Sequence, residues 1–207
     1  MEPKKLKVKK LQINPGTDDN TGVDCISVVN APAIEKNFIA FSAAEREKFQ
    51  VTDNARQIVT GPIMIPDKMI YRNQKDEQGN IIDEWYVFAD KQTIYQVMQK
   101  FFQTQRTANT SLEHDGALLN GVYLIESFQV DSTRGICPPA GYGAIPDGTW
   151  FGSMKVDVPE IWAAIVGGTF NGFSIEGLFT YEPTPIVIQH KSELALFMEL
   201  GALVSCI

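Results

Sequence analysis

A serine in an apolar strand, a histidine and a carboxylate are the residue types from which an activated nucleophile is built. The stretch FNGFSIEG, residues 170–177, sets Ser174 between bulky apolar residues and glycines. A hydroxyl there is either a satisfied core group or a nucleophile held on a rigid element. The chain has only two histidines, His114 in SLEHDG and His190 near the last segment. Histidine is the commonest general base near neutral pH, so these are the candidate bases. Glu126 interrupts the apolar run VYLIESF, directly after the histidine segment. A carboxylate among such neighbours needs a hydrogen-bonding partner, and orienting His114 gives it one. Glu176 follows Ser174 by one strand period and shares its face, where it can position the site or a substrate. Ser174, His114 and Glu126 therefore form the candidate set for acyl transfer. On residue types and spacing alone, a satisfied structural serine, a turn histidine and a glutamate at an exposed face or edge are the commoner readings.

Other chemistries find less support. The sequence carries no HExxH, GxxxxGK[ST], GxGxxG or GxSxG pattern. Cys25, Cys137 and Cys206 are far apart and odd in number, without metal-ligand spacing. No cofactor and no metal are expected, and a reducing compartment fits such cysteine usage. Net charge is −7, which disfavours nucleic acid as a partner. The one basic cluster, KKLKVKK, alternates Lys with Leu6 and Val8 and reads as an exposed edge strand or arm. No apolar run approaches the ~20 residues of a membrane span, and no apolar core follows the Lys-rich start. A soluble intracellular protein without a membrane partner is the expectation.

The elements that must position these groups read as follows. Strands are expected over 4–13, 23–34, two segments around Gly61-Pro62 within 56–72, 110–116, 121–131, 149–157, 171–183, which Pro183 stops, and 185–190. NQKDEQGN between apolar runs signals a hairpin. Ile94, Val97, Met98, Phe101 and Phe102 recur at helical spacing, with Asp90 or Thr93 as cap. Pro159 opens a second helix and Gly167-Gly168 closes it. Shorter helices are expected over 42–50 and 191–204. Hairpin-joined strands with few helices favour an α+β fold, an antiparallel or mixed β-barrel core surrounded by helices. The organisation is an N-terminal strand or arm with its loop (1–22), the barrel domain (23–190) and a C-terminal helix (191–207).

Several stretches together resemble the XkdF-like family of phage serine proteases. They are CISVVNAPAIEKNFIAF, PIMIPDKMIYR, EWYVFADKQTIYQVMQKFF, NTSLEHDG, GVYLIESFQVD and GTWFGSMKVDVPEIWAAIVGGTFNGFSIEG. The likeness runs from about Asp24 to Glu182, and EHDG paired with GFSIEG is its most specific part. That family resembles tailed-phage prohead maturation proteases and, more distantly, herpesvirus assemblins. The resemblance implies a β-barrel among helices and a Ser/His pair with a third polar residue. It places the histidine on His114 and the serine on Ser174, with Glu126 as the third member and Glu176 or His190 as alternatives. It further implies a maturation endopeptidase acting on scaffold and major capsid proteins, in the host cytoplasm and inside the procapsid. Assemblins are activated by dimerisation, which makes the apolar face of ELALFMELGALV the candidate interface of a homodimer; packing of that helix on its own barrel is the alternative. Backbone amides of GGTFNG or GICPPAGYG are candidate oxyanion donors.

Overall fold

The computed structural model describes residues 4–17, 19–30 and 48–190, with the side chain of His190 left aside. The expected helices over 42–50 and 191–204 fall mostly or wholly outside these residues. The strands are β1 (Lys4–Gln12), β2 (Gly22–Val29), β3 (Gln50–Asp53), β4 (Ile58–Met64), β5 (Ile70–Lys75), β6 (Ile81–Phe88), β7 (Thr110–Leu112), β8 (Val122–Gln129), β9 (Trp150–Val156), β10 (Gly172–Leu178) and β11 (Thr180–His190). Helix α1 (Lys91–Gln103) follows β6, and α2 (Pro159–Val166) follows β9.

The chain is β-rich and mixed in strand direction, as its pattern requires. Its strands form three sheets rather than one closed barrel among the described residues: β11-β1-β6-β5, β10-β2-β7 and β3-β4-β9-β8. Pairing is antiparallel except for β1 with β6 and β2 with β7. The lysine-rich strand is not an edge. β1 lies between β11 and β6, with Leu6, Val8 and Leu11 buried. Its lysines reach Glu84, Asp90 and the Trp85 ring, so the alternation reads as inward leucine and outward, partnered lysine.

Two prolines behave differently from expectation. β4 runs unbroken through Gly61-Pro62, and the irregularity in its pairing with β9 falls just beyond, between Pro62 and Met64. Gly61 is required there because a Cβ would lie 2.7 Å from Phe49 Cβ. Pro183 does not end a strand. The chain turns at Phe179, and β11 then carries Pro183 along the open edge of its sheet, where a missing N–H is tolerated.

Helix α1 is capped as expected, with Asp90 accepting from the Thr93 N–H at 2.8 Å. Its buried stripe is Thr93, Ile94, Val97, Lys100 and Phe101, whereas Phe102 is exposed. Phe101 packs edge-on against Trp150 of β9, their ring centroids 5.5 Å apart. One main apolar core joins α1 to all three sheets through Val87, Val28, Phe173, Trp150 and Met154. The sheet β10-β2-β7, which carries Ser174 and leads into His114, is thereby fixed from behind.

Candidate active site

Residues directly opposite one another on paired strands project from the same sheet face. Ser174 of β10 is the register partner of Ser27 of β2, and Ser27 is the register partner of Ser111 of β7. Three serines thus form one transverse row across the sheet, all of them buried. Glu176 stands one strand period beyond Ser174 on the same face, opposite Cys25.

A single carboxylate oxygen gathers this cluster. Ser111 donates to Glu176 Oε1 at 2.6 Å, and Ser27 donates to the same oxygen. The two hydroxyl oxygens lie 2.7 Å apart. His114 Nδ1 stands 3.3 Å from Glu176 Oε1 and 3.1 Å from Ser27 Oγ. With both hydroxyl protons directed at the carboxylate, Nδ1 is the group left to donate. That arrangement fixes the Nδ1–H tautomer and makes Nε2 the basic nitrogen. Burial pushes the Glu176 carboxyl up, but the hydroxyls of Ser111 and Ser27 and the facing imidazole outweigh it. The net result holds the carboxyl below its usual range. Burial pushes the neighbouring Cys25 thiol up, which leaves it a poor nucleophile.

Backbone conformation aims the imidazole. Glu113 and His114 both adopt left-handed φ, 48° and 61°, which non-glycine residues rarely do. Hydrogen bonds impose the turn: Glu113 N–H to the Val28 carbonyl, Asp115 N–H to the Leu112 carbonyl, and Glu113 Oε1 accepting from Asn30 N–H. Consecutive left-handed residues cost about 1–3 kcal/mol each, and such strain gathers where a side chain must be re-aimed. The half-exposed ring of His114 is bent back toward the sheet that a straight strand would carry it past.

Of the residues singled out from sequence, the structure brings His114 to Glu176, with Ser174 in the adjoining row. Ser174 Oγ makes no side-chain hydrogen bond among the described residues, and Ser27 stands between it and the imidazole. Glu126 lies elsewhere. It is exposed on β8, opposite Ser153, in the sheet β3-β4-β9-β8. β8 pairs with β9 instead of lying beside β7, so the segment after the histidine leaves this sheet. His190 ends β11 opposite Lys4, in the first sheet. The GGTFNG amides are engaged: Gly167 with Ala163, Gly168 with Ile165, Thr169 with Ala164 and Asn171 with Val29. In GICPPAGYG, Gly135 and Ile136 bond to Ser132 and Asp131.

Sequence reasoning passed over Ser27 and Ser111. Both show the same signal as Ser174, a hydroxyl in a strand of apolar residues, in CISVV and TSLEH. Ser111 also precedes His114 by three positions, close enough to share its turn. Among the described residues no group of His, Cys, Asp and Glu is arranged to hold a metal ion. No helix among them is long and apolar enough to cross a membrane.

Comparison with known proteins gives one positive finding. The family model described as "Putative phage serine protease XkdF" matches residues 46–182, about two thirds of the chain. No curated protein and no solved structure matches. The matched span contains His114, Ser174 and Glu176, and leaves out Ser27.

Proposed function

This chain belongs to the XkdF phage serine protease family, and on that premise we propose that it is a serine endopeptidase with His114 as base, Glu176 as the group orienting it and Ser174 as nucleophile. The observation that carries the reading is the contact between Glu176 Oε1 and His114 Nδ1, 3.3 Å, on the strand face that also bears Ser174. In the proposed reaction Ser174 Oγ attacks a peptide carbonyl as Nε2 of His114 takes the hydroxyl proton. Glu176 stabilises the imidazolium that results. The tetrahedral intermediate collapses, and Nε2 returns the proton to the leaving amine. Water then attacks the acyl carbonyl as it gives a proton to the same nitrogen; the bond from Ser174 Oγ to the acyl carbon breaks, and Nε2 returns the proton to Oγ as the acid leaves. Bringing Ser174 to the base requires the exposed side of the His114 turn to shift across Ser27. Such tightening on substrate binding is common in sites that are loose when empty.

Ser27 is the hydroxyl nearest the imidazole, but it is fully buried, so a peptide carbonyl has no approach to it. Ser174 lines a cavity of about 110 Å³. The family match, which spans Ser174 and leaves out Ser27, favours Ser174 as nucleophile and Ser27 as a positioning group. Glu126, on its separate sheet, has no part in this proposal.

The substrates proposed are segments of the scaffold and major capsid proteins, cut during phage assembly in the host cytoplasm and within the procapsid. Confinement raises local concentration there, so modest turnover suffices. The expected dimer helix lies outside the described residues. A second reading, a capsid-assembly protein that keeps the fold without catalysis, is favoured by the lack of a Ser174–His114 hydrogen bond. Co-expression with coat and scaffold proteins decides between them. Cleavage by the wild type, lost by about 10³-fold or more in Ser174→Ala, supports the peptidase. Undiminished cleavage by Ser174→Ala, or no cleavage and no labelling by a serine-directed phosphonate, overturns it.

A further inference from the structure

The cavity beside Ser174 has an apolar wall that includes Ile63, Phe173 and Phe179, and a cationic end formed by Lys68 and Arg72. Arg72 forms no ion pair or side-chain hydrogen bond among the described residues. Burial pushes its guanidinium below the ordinary value, and burial does the same to the Lys68 ammonium. Directly opposite Arg72 across the β5–β6 pair stands Trp85. Its indole Nε1 is buried without a hydrogen-bond partner. Tyr181, another residue of the cavity wall, packs edge-on against Trp85, with ring centroids 6.2 Å apart. Lys9 Nζ covers the same indole at 4.2 Å from the ring centroid.

The indole N–H is buried without an acceptor, and the neighbouring guanidinium is half-buried without an ion pair among the described residues; both arrangements are costly. An anion in the cavity relieves the guanidinium, because a carboxylate supplies acceptor oxygens to the planar fork in the wall. The size and the apolar wall select an apolar stem behind that carboxylate, on the scale of one amino-acid residue.

We propose that the cavity lined by Arg72, Tyr181 and Ser174 is a carboxylate-recognition pocket, which takes one peptide residue bearing a terminal or side-chain carboxylate on an apolar stem. The pocket makes that residue part of a substrate only if the peptidase reading above holds; as a binding site it stands on the unpaired Arg72 in the cavity wall.

The test is a titration of the full chain, read by calorimetry and by the Trp85 indole N–H resonance. The probes are N-acetyl-leucine, N-acetyl-leucinamide and N-acetylglutamate α-amide. Either acid is expected to bind about tenfold or more tightly than the leucinamide and to shift the Trp85 resonance. N-acetyl-leucine acting alone assigns the pocket to chain ends, and N-acetylglutamate α-amide acting alone assigns it to acidic side chains. In Arg72→Gln the preference disappears while the melting temperature stays equal or rises, since an unpaired desolvated charge has been removed. Equal binding of acid and amide, or a preference that survives Arg72→Gln, overturns the proposal. None of these readouts needs hydrolysis. A chain that binds carboxylates and cuts nothing refutes the peptidase alone, and one that cuts peptides without carboxylate preference refutes the pocket alone.

Discussion

Ser27 Oγ of β2 lies 3.1 Å from His114 Nδ1, on the same ring nitrogen that faces Glu176. The imidazole is therefore gripped from one side by a hydroxyl and a carboxylate, and its other nitrogen is left for chemistry. The same hydroxyl sits opposite Ser174 in the strand register. Ser27 thus links the His114–Glu176 contact to the strand of the proposed nucleophile.

Removing that link should weaken turnover without abolishing the nucleophile. Ser27→Ala is expected to lower kcat about tenfold, because one hydrogen bond to a charged carboxylate is lost. KM should change little, and labelling of Ser174 by a phosphonate should persist at a reduced rate. Ser111→Ala should behave similarly, since Ser111 donates to the same oxygen. If Ser27→Ala instead ends all labelling while Ser174→Ala is labelled normally, the nucleophile has been misassigned.

Glu176 gives a pH signature. Its carboxyl is held below the usual range in the folded chain, so the unfolded chain binds the proton more readily. The stabilisation is full above the ordinary glutamate value, near pH 4.3, and fades as pH falls through the lower folded value. The melting-temperature gap between wild type and Glu176→Gln should be widest above about pH 5 and close on acidification. A gap that is constant with pH would show that the ionised form of Glu176 contributes nothing to stability.

Lys100 ties α1 to the loop before β2. Its nearly buried ammonium donates to the Asn14 carbonyl at 2.9 Å and to Asp19 Oδ1 at 2.5 Å. The Lys100 contact, then the Thr21 hydroxyl, hold the Asp19 carboxyl well below its usual range. Lys100→Met keeps the stem but strands these acceptors, and is expected to cost about 2 kcal/mol in chemical denaturation. Asp19→Asn should remove part of the acid sensitivity, because the depressed carboxyl no longer titrates. Equal stability of Lys100→Met and wild type at neutral pH would refute the tie.

Much of the architecture was legible because local signals and tertiary packing agree in most elements. The Asp90 cap, the Pro159 start and the turn between β5 and β6 each have a mechanism confined to a few residues. Lys100 was not legible in the helix stripe: its partners, Asn14 and Asp19, lie far back in the sequence. His114 and Ser174 can be singled out by type, but the carboxylate in contact with His114 cannot. Glu126 was favoured because consecutive strands usually pair, and here β8 pairs with β9. Glu176 is in contact because antiparallel β10 lies beside β2, a non-local pairing that neither strand's sequence specifies. The hydroxyl row required the registers of both pairings, which side-chain patterns alone do not give.

Gly177 sets that register at the site, which makes it the most direct way to test the geometry without touching a polar group. The pairing of β10 with β2 shifts between Glu176 and Gly177. A Cβ on Gly177 would lie 2.0 Å from the Gly22 carbonyl oxygen, and that neighbour is backbone, with no rotamer to yield. Gly177→Ala must therefore push β10 away from β2 just beyond Glu176. The expected cost is about 2 kcal/mol or more in stability. Activity should fall further than partial unfolding accounts for, because Glu176 is drawn away from Ser27, Ser111 and His114. The measurement pairs a denaturation curve with peptidase activity at a temperature where the variant remains folded. A folded variant with wild-type activity would mean that the Glu176 contact does not govern the chemistry.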